Sequence, residues 1–92
     1  MEPLADAIPA GLAEFLRGAP LSSGKVEFAW KAAVGPAMQR ISAVRLEQTV
    51  LLVDAATRHW AKEIHRSVHV ILPRMQALLG KDTVKEIRVR QD

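Results

Sequence analysis

Cysteine is absent from this 92-residue chain, which excludes disulfide bridges and cysteine-built metal sites. Tyrosine is absent too, and the aromatic residues are two phenylalanines and two tryptophans. Modules that hold single strands by stacking need several exposed rings, so any contact with nucleic acid should be mostly to phosphates. No apolar run approaches the roughly 20 residues of a membrane span. The start, Met1–Ala10, carries two acids and no base, so we expect a cytoplasmic protein without a signal peptide.

Catalytic patterns are missing as well. The five glycines are isolated, so the sequence contains no glycine-rich phosphate-binding loop. It also lacks the Gly-x-Ser-x-Gly motif that presents a serine nucleophile. His65 and His69 are four residues apart, a spacing that can share a metal, but the cation of Arg66 lies between them. We interpret the two histidines as solvated. The sequence therefore predicts a non-enzymatic protein with no metal, no cofactor and no small-molecule substrate.

The charge of the chain is unevenly distributed. Residues 1–27 hold four acidic residues against two basic ones, whereas residues 28–92 hold eleven basic residues against six acidic ones, a net charge of +5. This bias favours an anionic partner for the larger part.

Two apolar segments predict a hairpin, and a third predicts a last strand. The wholly apolar run Val50–Val53 is typical of a strand buried on both faces, within a strand of residues 49–54. Residues 43–47 predict its partner, with Gln48 as the turn. Residues 82–90 predict the last strand, with Ile87 and Val89 pointing inward.

In the rest of the chain, apolar residues recur at the spacing of helices. Residues 9–17 predict a short helix whose apolar stripe is Leu12, Phe15 and Leu16. A second helix, which either Ser22 or Ser23 can cap, meets Gly35-Pro36, where it either ends at residues 33–34 or continues with a kink. Continuation is favoured because Met38 and Ile41 keep the period. A long helix ends at Gly80 and should kink near residues 69–72, or split in two, because of Pro73. Its apolar face is Trp60, Ile64, Val68, Leu72, Met75 and Leu79.

These elements predict one α+β domain of order α-α-β-β-α-β, a small three-stranded sheet with helices packed on one face. Residues 1–21 are an N-terminal segment with the short helix, and residues 22–92 form the folded domain. Both tryptophans lie on apolar helical faces, so we interpret them as core residues.

Basic residues cluster on two of the predicted elements. One side of the long helix carries Arg58, Lys62, Arg66 and His69, with His65 beside them, and the last strand region carries Lys85, Arg88 and Arg90. The six lysines and arginines are the candidate nucleic-acid contacts. This requires that Arg66, Arg88 and Arg90 share a side and are not neutralised by carboxylates. The alternatives are a solvated helix face and charges that protect a strand edge.

An ordered set of residues resembles one protein family. Trp30-x-x-x-Val34-Gly35, Val44-x-Leu46, Leu51-x-Val53, Trp60-Ala61-x-Glu63-Ile64, Leu79-Gly80 and Val84-x-x-Ile87-x-Val89 together resemble the DciA family over about residues 26–90. The resemblance implies a K-homology-like domain and a non-enzymatic partner of the bacterial replicative helicase that also binds DNA, especially single strands. It implies structural roles for Trp30, Val34, Gly35, Trp60 and Ile64. The chain departs from the family at its hairpin turn, Gln48-Thr49, where glycine is common, and it lacks the Gly-x-x-Gly loop of true K-homology domains.

Two functions follow as hypotheses. The first is a replication accessory protein that binds the replicative helicase and single- or double-stranded DNA through a basic surface. The second is a protein–protein adaptor without nucleic-acid contact, in which the acidic first 27 residues and the stripe Leu12, Phe15 and Leu16 dock a partner.

Overall fold

A computed structural model describes residues 20–91 of the chain, and the predicted helix of residues 9–17 lies outside the described residues. The fold class is confirmed as α+β, with a three-stranded sheet and helices against one face. The elements follow in the order α1 (Ser23–Val34), α2 (Pro36–Arg40), β1 (Ser42–Glu47), β2 (Val50–Ala55), α3 (Arg58–Arg66), α4 (Val68–Leu79) and β3 (Glu86–Gln91).

The sheet has the order β1-β2-β3, with β1 antiparallel and β3 parallel to the central strand. Helices α3 and α4 form the crossover that two parallel neighbours require. Glu47 pairs with Val50, which leaves Gln48 and Thr49 as a two-residue loop. Gln48 takes a φ of 55°, in the left-handed region that glycine or asparagine usually fills. The predicted turn is therefore confirmed, and the strand after it starts at Val50.

Strand β2 is buried on one face only, so the prediction of burial on both faces was wrong. Leu51, Val53 and Ala55 are buried against the helices, whereas Val50 and Leu52 are half-buried on the face that the described helices leave open. Leu52 is paired with Arg45 on one side and Arg88 on the other. Because directly paired residues lie on the same face, the two arginine stems flank Leu52 and shield it partly from water.

Helix α1 supplies much of the core. Its buried stripe packs against α4 and β1, and Trp30 at its centre is 1% exposed. The indole Nε1 of Trp30 donates to Ser42 Oγ at 2.9 Å, and the Ser42 hydroxyl donates to the Met38 carbonyl at 2.6 Å. One polar chain thus joins α1, α2 and β1. The buried residues of the stripe are Val26, Ala29, Trp30, Ala33 and Val34.

The favoured continuation of the first helix through Gly35-Pro36 was wrong, because α1 ends at Val34. Gly35 has φ 89° and ψ 165°, a region that is essentially restricted to glycine, and its N–H donates to the Lys31 carbonyl at 2.8 Å. Pro36 then occupies the first position of α2, where a missing N–H costs nothing. The apolar period of Met38 and Ile41 therefore belongs to a separate short helix and the strand entry after it.

The predicted long helix is split in two, at Ser67 and not at Pro73. Helix α3 packs on β2 and β3, whereas α4 packs mainly on α1, so the chain changes direction between them. Helix α4 passes through Pro73, which has no N–H to donate to the His69 carbonyl. Both residues are exposed, so water can replace that donor.

Candidate nucleic-acid interface

Helix α3 positions the first three candidate cations. Its N-cap is Thr57, whose hydroxyl accepts the backbone N–H of Trp60 at 3.1 Å, and its first turn contains no acidic residue. Ile64, with no exposed surface, anchors the helix to the core. Arg58 is the first residue of the helix, where it opposes the helix dipole by a few tenths of a kcal/mol, whereas Lys62 lies at the middle of the helix. The cap at Thr57 offsets that cost.

A shallow groove of about 550 Å³ lies between α3 and the edge strand β3. We call it the basic groove. Its cationic rim carries Arg58, Lys62 and Arg66, three of the six predicted site residues. Apolar surface from Ala61 and Val89 is also exposed in it, so it combines positive charge with a small apolar floor. Its lining consists of Arg58, Ala61, Lys62, His65, Arg66 and Val89.

The charge of the basic groove is only partly compensated. Arg66 Nη1 lies 3.5 Å from Glu63 Oε2, but the Arg66 side chain is 74% exposed, so this pair is weak and salt-sensitive. Within residues 20–91, no carboxylate forms an ion pair with Arg58 or Lys62. Helix α3 therefore keeps a net formal charge of +2, from three cations and Glu63.

The cations of β3 are neutralised. Arg88 Nε donates to Glu86 Oε2 at 2.7 Å, and this hydrogen bond and the carboxylate charge raise the pKa of Arg88 above its ordinary value. Arg90 forms a two-pronged contact with Asp54, with Nε to Oδ1 at 3.0 Å and Nη2 to Oδ2 at 3.3 Å. The expectation that Arg66, Arg88 and Arg90 are free of carboxylates was wrong for all three.

The open face of the sheet is neutral as a whole. Arg45, which the sequence reasoning did not single out, lies 2.9 Å from Glu47 on this face. With the two β3 pairs, three arginines therefore face three carboxylates. Two of these pairs join residues two apart on one strand, and the third joins Arg90 to Asp54 across the parallel register of β2 and β3.

The other three candidate cations do not line the basic groove. Arg88 and Arg90 line a depression that adjoins the basic groove through the shared residues His65 and Val89. That depression also contains Glu47 and Glu86, so its charge is mixed. Lys85 lines neither surface, since its N–H bonds to the Thr49 carbonyl at 2.8 Å at the hairpin end of the sheet.

The residues of the sequence signature lie in or against the core. Trp30, Val34 and Ile64 are buried, and Gly35 makes the turn between α1 and α2. Trp60 is half-buried against the core, and its ring meets His59 edge to face with centroids 5.7 Å apart. These positions support the helices, whereas the cations of α3 are exposed.

His65 lies on α3 and His69 lies on α4. Their four-residue spacing is therefore not the i, i+4 relation of one continuous helix. Both are exposed. Among residues 20–91, no group of three histidine, aspartate or glutamate side chains is arranged to hold a metal ion.

Sequence reasoning missed the floor of the basic groove. Val89 was assigned to the interior by alternation, but it is only half-buried because β3 is an edge strand that α3 covers incompletely. Edge position follows from strand order, which a single sequence does not contain. His65 was noted beside the cations, and it links the basic groove to the depression next to it.

A small α+β domain with an open, cationic groove is typical of binding modules. The chain belongs to the DciA family, since the family model described as "Dna[CI] antecedent, DciA" matches residues 3–89. At the level of the family, membership supports a role in DNA replication as a loader of the replicative helicase, and the family is not known for enzymes. No curated protein and no solved structure matches the chain significantly. No helix within residues 20–91 is long and apolar enough to cross a bilayer.

Proposed function

We propose that this protein is a cytoplasmic replication accessory factor that binds the replicative helicase and contacts single-stranded DNA through the basic groove. The proposal has two halves, a DNA contact and a helicase contact. The DNA half is supported by Arg58 and Lys62, which share the groove and have no carboxylate partner within residues 20–91. The helicase half is supported by membership of the DciA family.

The chemistry of the basic groove favours a single strand over a duplex. Its cations can bind phosphates, and the apolar floor of Ala61 and Val89 can contact bases that a duplex would keep stacked inside. Few cations are available, so binding should be weak, tolerant of sequence and sensitive to salt. We restrict the proposed contact to Arg58, Lys62 and Arg66. Arg88 and Arg90 bind carboxylates at 2.7 Å and 3.0 Å, whereas Arg66 has only the longer, exposed pair with Glu63 at 3.5 Å.

The DNA half is tested by fluorescence anisotropy with a labelled single strand and with a duplex of equal length. We expect tighter binding of the single strand, and a loss of most of this affinity in Arg58→Glu/Lys62→Glu. The variant Arg88→Glu/Arg90→Glu has the same net charge and serves as the control, with a smaller loss. Equal losses in both variants would place the contact elsewhere or show that only net charge matters.

The helicase half is tested by a pull-down of the replicative helicase with the full chain. The wild-type protein should retain the helicase, and the result for Arg58→Glu/Lys62→Glu shows whether the basic groove takes part in that contact. Failure of the wild-type protein to retain helicase would contradict this half while leaving the DNA half standing.

A protein–protein adaptor is the second candidate, and the neutral open face of the sheet favours it. Three arginine–carboxylate pairs around the half-buried Leu52 are better suited to a protein surface than to a polyanion. Helicase retention without measurable single-strand binding at low salt would establish this candidate over the first.

A further inference from the structure

A second groove lies at the other edge of the sheet, between the N-terminal end of α1 and strand β1. It holds about 260 Å³, and we call it the α1–β1 groove. Its surface is mainly apolar. Val26 is buried at 3% exposure, whereas Leu21 is 56% exposed at the rim, and Val44 and Leu46 are half-buried. The lining consists of Leu21, Ser22, Ser23, Val26, Val44, Arg45 and Leu46.

The free edge of β1 opens toward this groove. Among the described residues, β1 pairs only with β2. The Ala56 N–H donates to the Ile41 carbonyl at 2.9 Å, so the carbonyl of residue 41 points toward the chain of β2. In an antiparallel ladder this direction alternates from residue to residue, so the backbone groups of Ser42, Val44 and Leu46 point away from β2. An unpaired strand edge can pair with another chain and cause aggregation, so proteins usually cover it.

The chain itself supplies a segment that can cover the groove. Residues 1–19 lead directly to Leu21 at its rim, and the family model that matches the chain begins at residue 3, so both parts belong to one family unit. The helix that the sequence predicts for residues 9–17 has Leu12, Phe15 and Leu16 as its apolar stripe. Leu16 is five residues from Leu21, a reach of at most about 18 Å at 3.3–3.6 Å per residue. A tether this short gives an effective concentration in the millimolar range.

The charged residue that lines the groove is Arg45, which Glu47 already compensates at 2.9 Å. The apolar lining and the short tether therefore favour this occupant. We propose that Leu12, Phe15 and Leu16 dock in the α1–β1 groove of the same chain and cover the free edge of β1. This inference is independent of the basic groove, which lies at the opposite edge of the sheet.

The absence of cysteine makes a cross-linking test specific. In the full chain, Phe15→Cys/Leu46→Cys should form an intrachain disulfide under mild oxidation, at a rate that dilution does not change. The control pair is Glu14→Cys/Leu46→Cys, because Glu14 lies about opposite the stripe in helical spacing. We expect the control to react at least about ten times more slowly. Equal rates would overturn the proposal, and interchain dimers that grow with concentration would assign the groove to a second copy.

A thermal measurement on the full chain gives an independent readout. Phe15→Ser should lower Tm by about 5 °C or more, since roughly 1 kcal/mol shifts a domain of this size by about 4–8 °C. Glu14→Ser should leave Tm within about 2 °C of the wild-type value. An unchanged Tm for Phe15→Ser would show that the stripe is not buried on the domain, and the proposal would fail.

Discussion

Trp30 and Ser42 form a partly buried hydrogen bond between the middle of α1 and the first residue of β1, with Nε1 2.9 Å from Oγ. The Ser42 hydroxyl in turn donates a hydrogen bond to the Met38 carbonyl at 2.6 Å. A single hydroxyl therefore satisfies the indole N–H and fixes the path of the chain after Gly35. The first prediction concerns this hydroxyl.

Replacing Ser42 by alanine leaves the Trp30 N–H buried without its acceptor, which should cost about 1–3 kcal/mol of unfolding free energy. Trp30→Phe removes the donor, so the double variant Trp30→Phe/Ser42→Ala should lose less than the two single losses added together. Urea unfolding measures all four proteins. Ser23→Ala, at an exposed hydroxyl in α1, is the control and should change stability by less than about 0.5 kcal/mol. Strict additivity in the cycle would show that the hydrogen bond contributes nothing.

Two glycines at different backbone conformations give a matched pair for the second prediction. Gly35 has φ 89°, so Gly35→Ala should destabilise the protein by about 1–3 kcal/mol. Gly24 lies inside α1, where an added Cβ would meet only Ser22 Oγ at 4.0 Å. Gly24→Ala should therefore stabilise the protein by up to about 1 kcal/mol. Chemical denaturation of the two variants should give opposite signs, and two changes of the same sign would contradict the described break between α1 and α2.

The N-cap of α3 gives the third prediction. Thr57→Ala removes the acceptor of the Trp60 N–H and should cost about 1 kcal/mol. Thr57→Asp keeps an acceptor and adds negative charge at the helix N-terminus, so its stability should equal or exceed that of the wild type. Its single-strand affinity should nevertheless fall, because the new carboxylate lies next to Arg58. If both variants lose equal stability, Thr57 does not act as a cap.

Much of the fold could be predicted from local patterns. The alternation in β3 placed Ile87 inside and Arg88 and Arg90 outside, as observed. The two helix breaks were harder, because a period of three to four residues persists across Gly35 and Ser67 although the helices do not. Gly35-Pro36 carries two signals of a helix break, a residue free to take positive φ and a proline suited to the first turn of a new helix. The apolar period that continues through Met38 and Ile41 nevertheless favoured a single kinked helix. Ser67 has neither of these signals. The helix breaks there because α3 and α4 pack on different elements.

The candidate site was predictable only in part. Spacing brought Arg58, Lys62 and Arg66 to one side of α3, and the structure places all three on the basic groove. The pairing of Arg90 with Asp54 joins residues 36 positions apart, through the parallel register of β2 and β3. A single sequence does not fix that register, so this pair could not be anticipated. The other two pairs, Arg45–Glu47 and Arg88–Glu86, join residues two apart on one strand, which alternation alone places on the same face.

The salt dependence of single-strand binding tests the central claim most directly. Anisotropy titrations over a range of salt concentrations give the slope of log affinity against log salt for three proteins. Arg58→Gln/Lys62→Gln should reduce the magnitude of this slope by about 1.4, since each lost phosphate contact on a single strand contributes about 0.7. Arg45→Gln/Arg90→Gln has the same net charge and should keep the wild-type slope, because its arginines bind carboxylates. An unchanged slope in the first variant, or equal reductions in both, would contradict the assignment of DNA contact to the basic groove.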